Sequence, residues 1–122
     1  MLKKILLTFF MFLILPSFAG ELENAIENED YIFVYINSSS CRYCLLCNPI
    51  YEKLSKKYGK KVKFLNFDAG TRYGNYILHK YDGMYVPYAF LINTKKDKSY
   101  IISPDCVLQY SCTENIIKKI AK

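Results

Sequence analysis

Three short apolar runs constrain the fold of this chain more than any other feature of its sequence. They read YIFVYIN (31–37), VKFLNF (62–67) and YAFLIN (88–93), and each is rich in residues that favour β-strands. An almost continuous apolar run of this length is typical of a strand buried on both faces, as in a sheet that is covered by helices. The sequence therefore predicts a central sheet with helices on both sides.

The rest of the chain supplies the helices and one further strand. The predicted helices cover 21–29, 41–58, 72–81 and 113–122. A polar turn after the third strand leads into SYIIS (99–103), which predicts a hairpin, and Ser111 and Glu114 have the spacing of a capping box for the last helix. The first two strands flank a helix and are expected to run parallel. The result is an α/β fold with one mixed four-stranded sheet flanked by helices on both faces.

Residues 1–19 have the composition of a targeting segment. They begin with a basic stretch, continue as an apolar run and end in small residues, an order typical of a secretory signal peptide. Ser17 and Ala19 fit the small-x-small rule, so cleavage is expected after Ala19. The apolar run is shorter than the roughly 20 residues of a membrane-spanning helix, and an uncleaved anchor is the alternative. The sequence thus predicts one domain, 20–122, in the periplasm or outside the cell.

The charge balance argues against nucleic acid as a partner. The formal net charge of the chain is +6, and Lys3 and Lys4 contribute two of these charges, which leaves +4 for the predicted mature domain. The lysines of KLSKKYGKK (53–61) fit the solvated end of a helix and the turn after it, where positive charge suits the helix dipole. We therefore expect no nucleic acid among the partners.

The five cysteines fall into two groups. An exported chain meets an oxidising compartment, where disulfides persist, and an odd number leaves at least one thiol unpaired. A bridge between Cys106 and Cys112 would close a short loop and stabilise the fold by roughly 2 kcal/mol in the chain-entropy model. The compartment favours this structural disulfide over the alternative of two free thiols.

The other group lies in SSSCRYCLLCNP (38–49), and its first two cysteines have the spacing of a redox pair. Cys41 is expected where a helix begins, and the positive end of the helix dipole together with Arg42 stabilises a thiolate there. Cys44 is one turn further on, about 5–6 Å away, which a disulfide can span. An exposed sulfur that attacks and a covered sulfur that resolves the mixed disulfide are what thiol–disulfide exchange requires.

The third cysteine of this group allows two interpretations. Cys47 falls on the same helical face as Leu54, which predicts a small core residue that faces the sheet. The alternative is a metal site, or a metal- or haem-assembly carrier, that uses Cys41, Cys44 and Cys47. Zinc sites usually need four ligands, and the single histidine, His79, is expected on a helix surface. No bound metal or other cofactor is predicted, but the carrier function stays open as the alternative.

Two prolines complete a pattern that resembles a known family. Pro49 falls five residues after Cys44 in the predicted helix, and Pro87 directly precedes the third strand, where a cis bond would mark a tight turn. The segment C-R-Y-C-L-L-C-N-P resembles the active-site helix of the thioredoxin family. KVKFLNFD resembles its next strand, and KYDGMYVPYAFLIN is similar to the segment with its cis-proline. The resemblance covers residues 30–121 and implies a thioredoxin fold and a protein thiol–disulfide oxidoreductase.

The resemblance also implies roles for individual residues. Cys41 would be the nucleophile and Cys44 the resolving thiol. Pro87 would be the cis-proline beside the disulfide, and the backbone of Val86 would pair with a bound substrate chain, as in strand addition. The expected partners are therefore proteins that carry thiols or disulfides.

The direction of exchange is left open. Arg42 and Tyr43, between the two cysteines, would tune the reduction potential. A stabilised thiolate favours the reduced form and hence an oxidant. Exported members of the family also include reductants that a membrane redox partner keeps reduced, so oxidation, reduction, isomerisation and such a partner all stay possible.

Departures from the family pattern concern the surroundings of the pair. Ser40 stands where many thioredoxins have tryptophan, and Tyr35 where many have a buried carboxylate, which leaves the proton-transfer route to Cys44 open. Three tyrosines either form an aromatic rim near the site or reflect a tyrosine-rich composition: Tyr43, Tyr85 and Tyr88. A redox-inert interaction domain with structural cysteines is a third, weaker hypothesis.

Overall fold

The computed structural model describes residues 20–122. The predicted signal segment, 1–19, and its cleavage after Ala19 lie outside the described residues, so export and cleavage stay predictions. Within residues 20–122, no helix is both long enough and apolar enough to cross a membrane.

The order of elements follows the sequence-based prediction closely. In the described part of the chain the elements are α1 (Glu21–Asn28), β1 (Tyr31–Asn37), α2 (Cys44–Tyr58), β2 (Lys63–Asp68), α3 (Arg72–Lys80), β3 (Tyr88–Asn93), β4 (Lys98–Ile102), α4 (Pro104–Val107) and α5 (Tyr110–Ile120). All four predicted strands are confirmed to within one residue at each end.

The strands form one mixed sheet in the order β2-β1-β3-β4. β1 runs parallel to β2 and antiparallel to β3, and β3 pairs with β4 as an antiparallel hairpin. Val34 of β1 lies between Leu65 of β2 and Phe90 of β3 in this register. The two central strands are therefore the most apolar ones, and every residue of β3 is buried.

Helices cover both faces of the sheet, as predicted. Side chains of β1 alternate between the two faces, since successive residues of a strand point in opposite directions. Val34 belongs to one core cluster, with Ile77 of α3. Phe33 belongs to the other cluster, with Leu54 of α2 and Ile117 of α5. The helix α2 that follows the cysteine turn is thus anchored on one face of the sheet.

Two helices begin elsewhere than predicted. α2 starts at Cys44, not at residue 41, because Cys41 lies in a turn in which its N–H donates to Ser38 O at 3.2 Å. The Cys41 sulfur accepts the N–H of Cys44 at 3.1 Å. It therefore takes the place of a capping side chain ahead of the helix.

The C-terminal helix starts earlier than predicted, and the capping box is wrong. α5 begins at Tyr110, so Ser111 lies inside the helix rather than at its cap. Glu114 instead accepts hydrogen bonds from Lys57 Nζ at 2.7 Å and from Tyr58 Oη at 2.8 Å. These contacts tie α5 to the end of α2. The four-residue helix α4 was not predicted because it is too short to show a helical period.

Candidate active site

The sheet topology brings the cysteine turn and the Val-Pro segment together. β1 and β3 are antiparallel neighbours, and Ile36 near the end of β1 pairs with Tyr88 at the start of β3. The chain leaves β1 into the turn that holds Cys41, and it enters β3 from Val86 and Pro87. Both segments therefore lie at the same edge of the sheet, although some 45 residues separate them in sequence.

Cys41 and Cys44 form a disulfide with a Cα–Cα distance of 5.3 Å. The two residues differ in accessibility, since Cys41 is partly buried and Cys44 is only 1% exposed. An incoming thiolate therefore reaches Cys41 first. This is the asymmetry that an attacked and a resolving sulfur need.

The electrostatic environment of Cys41 favours negative charge on its sulfur. The N–H of Cys44, the first residue of α2, points at Cys41 Sγ from 3.1 Å. Helix N-termini present such unpaired donors together with the positive end of the helix dipole. Arg42, on the same turn, is exposed. After reduction the same donor and dipole stabilise a thiolate on Cys41.

The Val86–Pro87 peptide bond is cis. Pro87 is buried and Val86 is partly buried at the entrance to β3. Among the described residues, Val86 makes no backbone hydrogen bond outside the regular elements, and it belongs to none of them. Its N–H and C=O therefore have no backbone partner among the described residues.

A groove of about 340 Å³ lies between the cysteine turn and α4, and we call it the active-site groove. It is lined by Tyr43, Tyr85, Val86, Pro87, Pro104, Asp105 and Leu108. Tyr43 and Tyr85 are more than half exposed, at 59% and 53%. Tyr88 does not belong to this aromatic rim, because it is buried and its hydroxyl donates to Tyr81 O. The rim therefore consists of two of the three tyrosines that the sequence offered.

Further large apolar side chains around the site are exposed. The first turn of α2 exposes Leu45 and Leu46, at 71% and 60%, and the loop before Pro87 exposes Met84 at 87%. A group of exposed apolar side chains next to a reactive disulfide is typical of a surface that binds other proteins.

A buried tyrosine lies beneath the pair, at the position where the thioredoxin resemblance leads one to expect a carboxylate. The Tyr35 hydroxyl donates a hydrogen bond to Asn48 Oδ1 at 2.7 Å. The same hydroxyl lies 3.4 Å from the carbonyl oxygen of Cys44. Burial, and next the nearby Cys47, raise the pKa of Tyr35. The hydroxyl thus stays protonated and acts as a donor that positions α2 against β1, not as a base.

Cys47 is buried in the core, as the sequence predicted. It is 2% exposed, and its thiol donates to Val107 O at 3.5 Å. Burial raises the pKa of the Cys47 thiol. Within residues 20–122, no three His, Cys, Asp or Glu side chains are arranged to hold a metal ion. The carrier hypothesis therefore gains no support from the described residues.

The second disulfide fixes one wall of the active-site groove. Cys106 and Cys112 are bonded with a Cα–Cα distance of 5.3 Å and join α4 to α5. Thr113 Oγ1 donates to Cys106 O at 2.9 Å, and the Ser103 hydroxyl accepts the Cys106 N–H at 3.3 Å. The short helix α4 is thus held from both ends.

Comparison with known proteins places this architecture in a family. The model of the family described as "TraF: F plasmid transfer operon protein" matches residues 24–117. The chain belongs to the TraF family. No curated protein matches the sequence.

Several solved structures that resemble this TraF-family chain are thioredoxins. Oxidised mitochondrial thioredoxin 3 of Saccharomyces cerevisiae has a TM-score of 0.63 and 20% identity over 81% of this chain and 87% of that chain. Oxidised thioredoxin of Plasmodium falciparum has a TM-score of 0.67 and 20% identity over 85% and 93% of the two chains. Thioredoxin of Malassezia sympodialis has a TM-score of 0.68 and 15% identity over 81% and 84%. These likenesses confirm the thioredoxin fold.

The site residues predicted from sequence fall into three sets in the TraF-family structure. Tyr43, Val86 and Pro87 line the groove next to the cysteine pair. Arg42 lies on the turn outside the groove lining, and the Cys106–Cys112 bridge holds α4 without lining the groove. Sequence reasoning missed the following residues: Asn48, Asp105 and Leu108. Only for Asn48 did the sequence hold a signal, since it lies one helical turn after Cys44.

Together, the thioredoxin-like fold and the C-x-x-C disulfide support a thiol–disulfide oxidoreductase in general terms. The likeness to solved thioredoxins shows the fold, and the Cys41–Cys44 bond supplies a redox centre.

Proposed function

We propose that this TraF-family protein is an exported oxidoreductase that exchanges its Cys41–Cys44 disulfide with the thiols of other proteins. The observation that carries the proposal is the asymmetry of the pair. Cys41 is the more accessible sulfur and receives the first N–H of α2, whereas Cys44 is covered. A free groove and an unpaired Val86 backbone beside the pair offer a place for a substrate chain.

The proposed reaction consists of two exchanges. A substrate thiolate attacks Cys41 Sγ, the Cys41–Cys44 bond breaks, and Cys44 leaves with the electron pair and takes up a proton. A second substrate thiolate then attacks the substrate sulfur of the mixed disulfide, and Cys41 leaves as a thiolate. The substrate has gained a disulfide and the protein holds two reduced cysteines. Run in reverse, the same steps reduce a substrate disulfide.

The direction we propose is oxidation of the substrate. The Cys44 N–H and the dipole of α2 stabilise the leaving Cys41 thiolate, and a stabilised reduced form makes a stronger oxidant. Equilibration with glutathione buffers measures the potential. A value near that of oxidising family members, about −180 to −120 mV, supports this direction, and a value near about −270 mV contradicts it.

The proposal of export is supported by the signal-like composition of residues 1–19 and by the Cys106–Cys112 bridge, because disulfides persist in oxidising compartments. A membrane redox partner would return the pair to its starting state. Mass analysis of the mature protein from cell fractions tests this part: an N-terminus at Gly20 outside the cytoplasm is expected. An intact Met1 terminus in the cytoplasm contradicts it.

An exchange assay with a reduced model protein tests the activity. Cys41→Ser is expected to abolish oxidation of the substrate. Among the described residues, no other cysteine sulfur is both accessible and located at the N-terminus of a helix. Cys47→Ala is the matched control and is expected to stay active. Full activity of Cys41→Ser would rule out the mechanism.

A further inference from the structure

We propose that the active-site groove selects substrates that carry an arginine or lysine next to the reacting cysteine. This inference rests on the proposed function, since it names the substrate class of that same site. The residues that carry it are Asp105, Tyr43 and Tyr85, which share the groove lining.

The chemistry of the groove lining fits a cation on an aliphatic stem. Tyr43 and Tyr85 contribute two aromatic rings with exposed surface, and Asp105 is the charged side chain among the lining residues. Aromatic faces attract guanidinium and ammonium groups, and a carboxylate binds them by charge-assisted hydrogen bonds. The apolar remainder of the lining suits the methylene groups that arginine and lysine bury while their charged ends find polar partners.

The Asp105 carboxylate is available for such a partner. Within residues 20–122 it takes part in no ion pair, since the acidic members of the ion pairs found there are Glu114 and Asp30. Asp105 is exposed, and only its backbone carbonyl is used, as the acceptor for Gln109 Nε2 at 3.3 Å. An apolar occupant would cover this carboxylate without pairing it, which costs free energy. A basic occupant removes that cost.

The groove is held in shape before a substrate arrives. Asp105 lies in α4, which the Ser103 cap holds at one end and the Cys106–Cys112 bridge holds at the other. The Thr113 hydroxyl adds a bond to Cys106 O at 2.9 Å. A wall fixed in this way loses little conformational entropy on binding, so the charge of Asp105 discriminates between substrates more sharply.

The position of the groove relates the basic residue to the substrate cysteine. The lining includes Tyr43, which lies between the two cysteines in the sequence, and Pro87, next to the Val86 backbone that a substrate chain would follow. A residue adjacent to the reacting cysteine would therefore enter the same groove that Asp105 lines. Arg42 lies outside the lining, so a basic residue is expected to help on one side of the cysteine only.

The volume of about 340 Å³ suits a small unit as the occupant. It is near the lower end of the range for ligand pockets, about 300–1,000 Å³, and so suits one long side chain with its adjacent backbone. The occupant we infer is thus a single residue of an extended or unfolded segment of a partner protein.

The test compares reduced peptides that differ in one residue beside their cysteine. Arginine, leucine or glutamate is placed either before or after the cysteine, and kcat/KM for oxidation by the wild-type protein is measured. On one side, arginine is expected to exceed leucine by roughly two- to thirtyfold, the range of one cation–π contact, with glutamate lowest. The preference should shrink as salt rises.

Variants assign the preference to Asp105. Asp105→Asn is expected to remove the advantage of arginine, and Asp105→Lys to transfer it to glutamate. Asp97→Asn, an exposed aspartate in the turn between β3 and β4, is the control and is expected to keep the preference. Equal rates for all peptides, or an arginine preference that survives in Asp105→Lys, would overturn the inference while the exchange activity stands.

A binding measurement separates this inference from the proposed function. Fluorescent peptides with serine in place of cysteine are titrated against Cys41→Ser protein. Tighter binding of the arginine peptide than of the glutamate peptide, lost in an added Asp105→Asn change, supports the groove even if no peptide is oxidised. Equal binding of the two peptides contradicts it.

Discussion

The backbone N–H of Cys44 points at the sulfur of Cys41 from a distance of 3.1 Å. This contact explains why α2 begins at the second cysteine and why the first cysteine lies in a turn. It also makes the two sulfurs unequal, because the accessible one receives a helix-terminal donor and the other is covered by the fold. The proposed direction of exchange follows from that inequality.

Tyr35→Phe is expected to destabilise the protein by about 1–2 kcal/mol, because it removes the donor that bonds Asn48 Oδ1 at 2.7 Å beneath the pair. Denaturant unfolding of the oxidised protein measures the change. Tyr76→Phe is the matched control, since Tyr76 is 51% exposed and its loss of a hydroxyl should cost less than about 0.5 kcal/mol. Equal stability of Tyr35→Phe and wild type would show that the buried hydroxyl does not hold α2 in place.

Stability is expected to fall at alkaline pH. Burial is the main cause that raises the pKa of Tyr51 and Tyr73 from 10.0 to about 12, and burial also raises the pKa of Tyr35. The unfolded chain loses these protons near pH 10 while the folded protein keeps them, so stability present below about pH 10 is lost as pH rises towards about 12. Denaturant unfolding at about pH 9 and about pH 11 checks this. A flat profile contradicts it, and Tyr35→Phe should show a shallower fall than wild type.

Cys47→Ala is expected to leave the exchange rate within about twofold of wild type and to lower stability by roughly 1–2 kcal/mol, as for other truncations in a core. The reason is that the Cys47 thiol is buried and bonded to Val107 O, away from an incoming substrate. Exchange kinetics and unfolding are measured on the same preparation. Loss of exchange, or stoichiometric metal in the reduced wild-type protein that disappears in Cys47→Ala, would favour the carrier hypothesis instead.

Joint replacement of Cys106 and Cys112 by serine is expected to lower stability by roughly 2 kcal/mol. It should also reduce the preference for arginine peptides over glutamate peptides, because the disulfide no longer holds α4 and its Asp105 in place. The chemistry at Cys41 should persist with a model substrate that does not depend on the groove. An unchanged peptide preference in the double variant would show that α4 does not need the bridge for its position.

The sheet could be predicted because the burial of its central strands requires apolar residues, which are visible in the sequence. β1 and β3 are uninterrupted apolar runs up to their last residues, Asn37 and Asn93, and two-sided burial accounts for such runs. The start of α2 was misplaced because a cysteine sulfur, not a typical capping side chain, accepts the first N–H. That contact depends on a three-dimensional position that sequence spacing does not reveal.

The groove was only half predictable for a similar reason. Tyr43, Val86 and Pro87 lie in the C-x-x-C and Val-Pro segments, and the resemblance of these segments to the thioredoxin family predicted their place at the site. Asp105 belongs to α4 and Leu108 directly follows it, and this helix is four residues long and shows no period. Only the sheet order, which places β4 and its following helix beside β3, brings them to the site.

Mapping of the covalent intermediate tests the central claim most directly. The Cys44→Ala protein lacks the sulfur that releases a bound partner, so incubation with an oxidised substrate protein and analysis by mass spectrometry should reveal a mixed disulfide. The account predicts that the substrate cysteine is bonded to Cys41, and that Cys41→Ala abolishes the adduct. An adduct on Cys47, Cys106 or Cys112 with Cys41 left free, or no adduct at all, would contradict it.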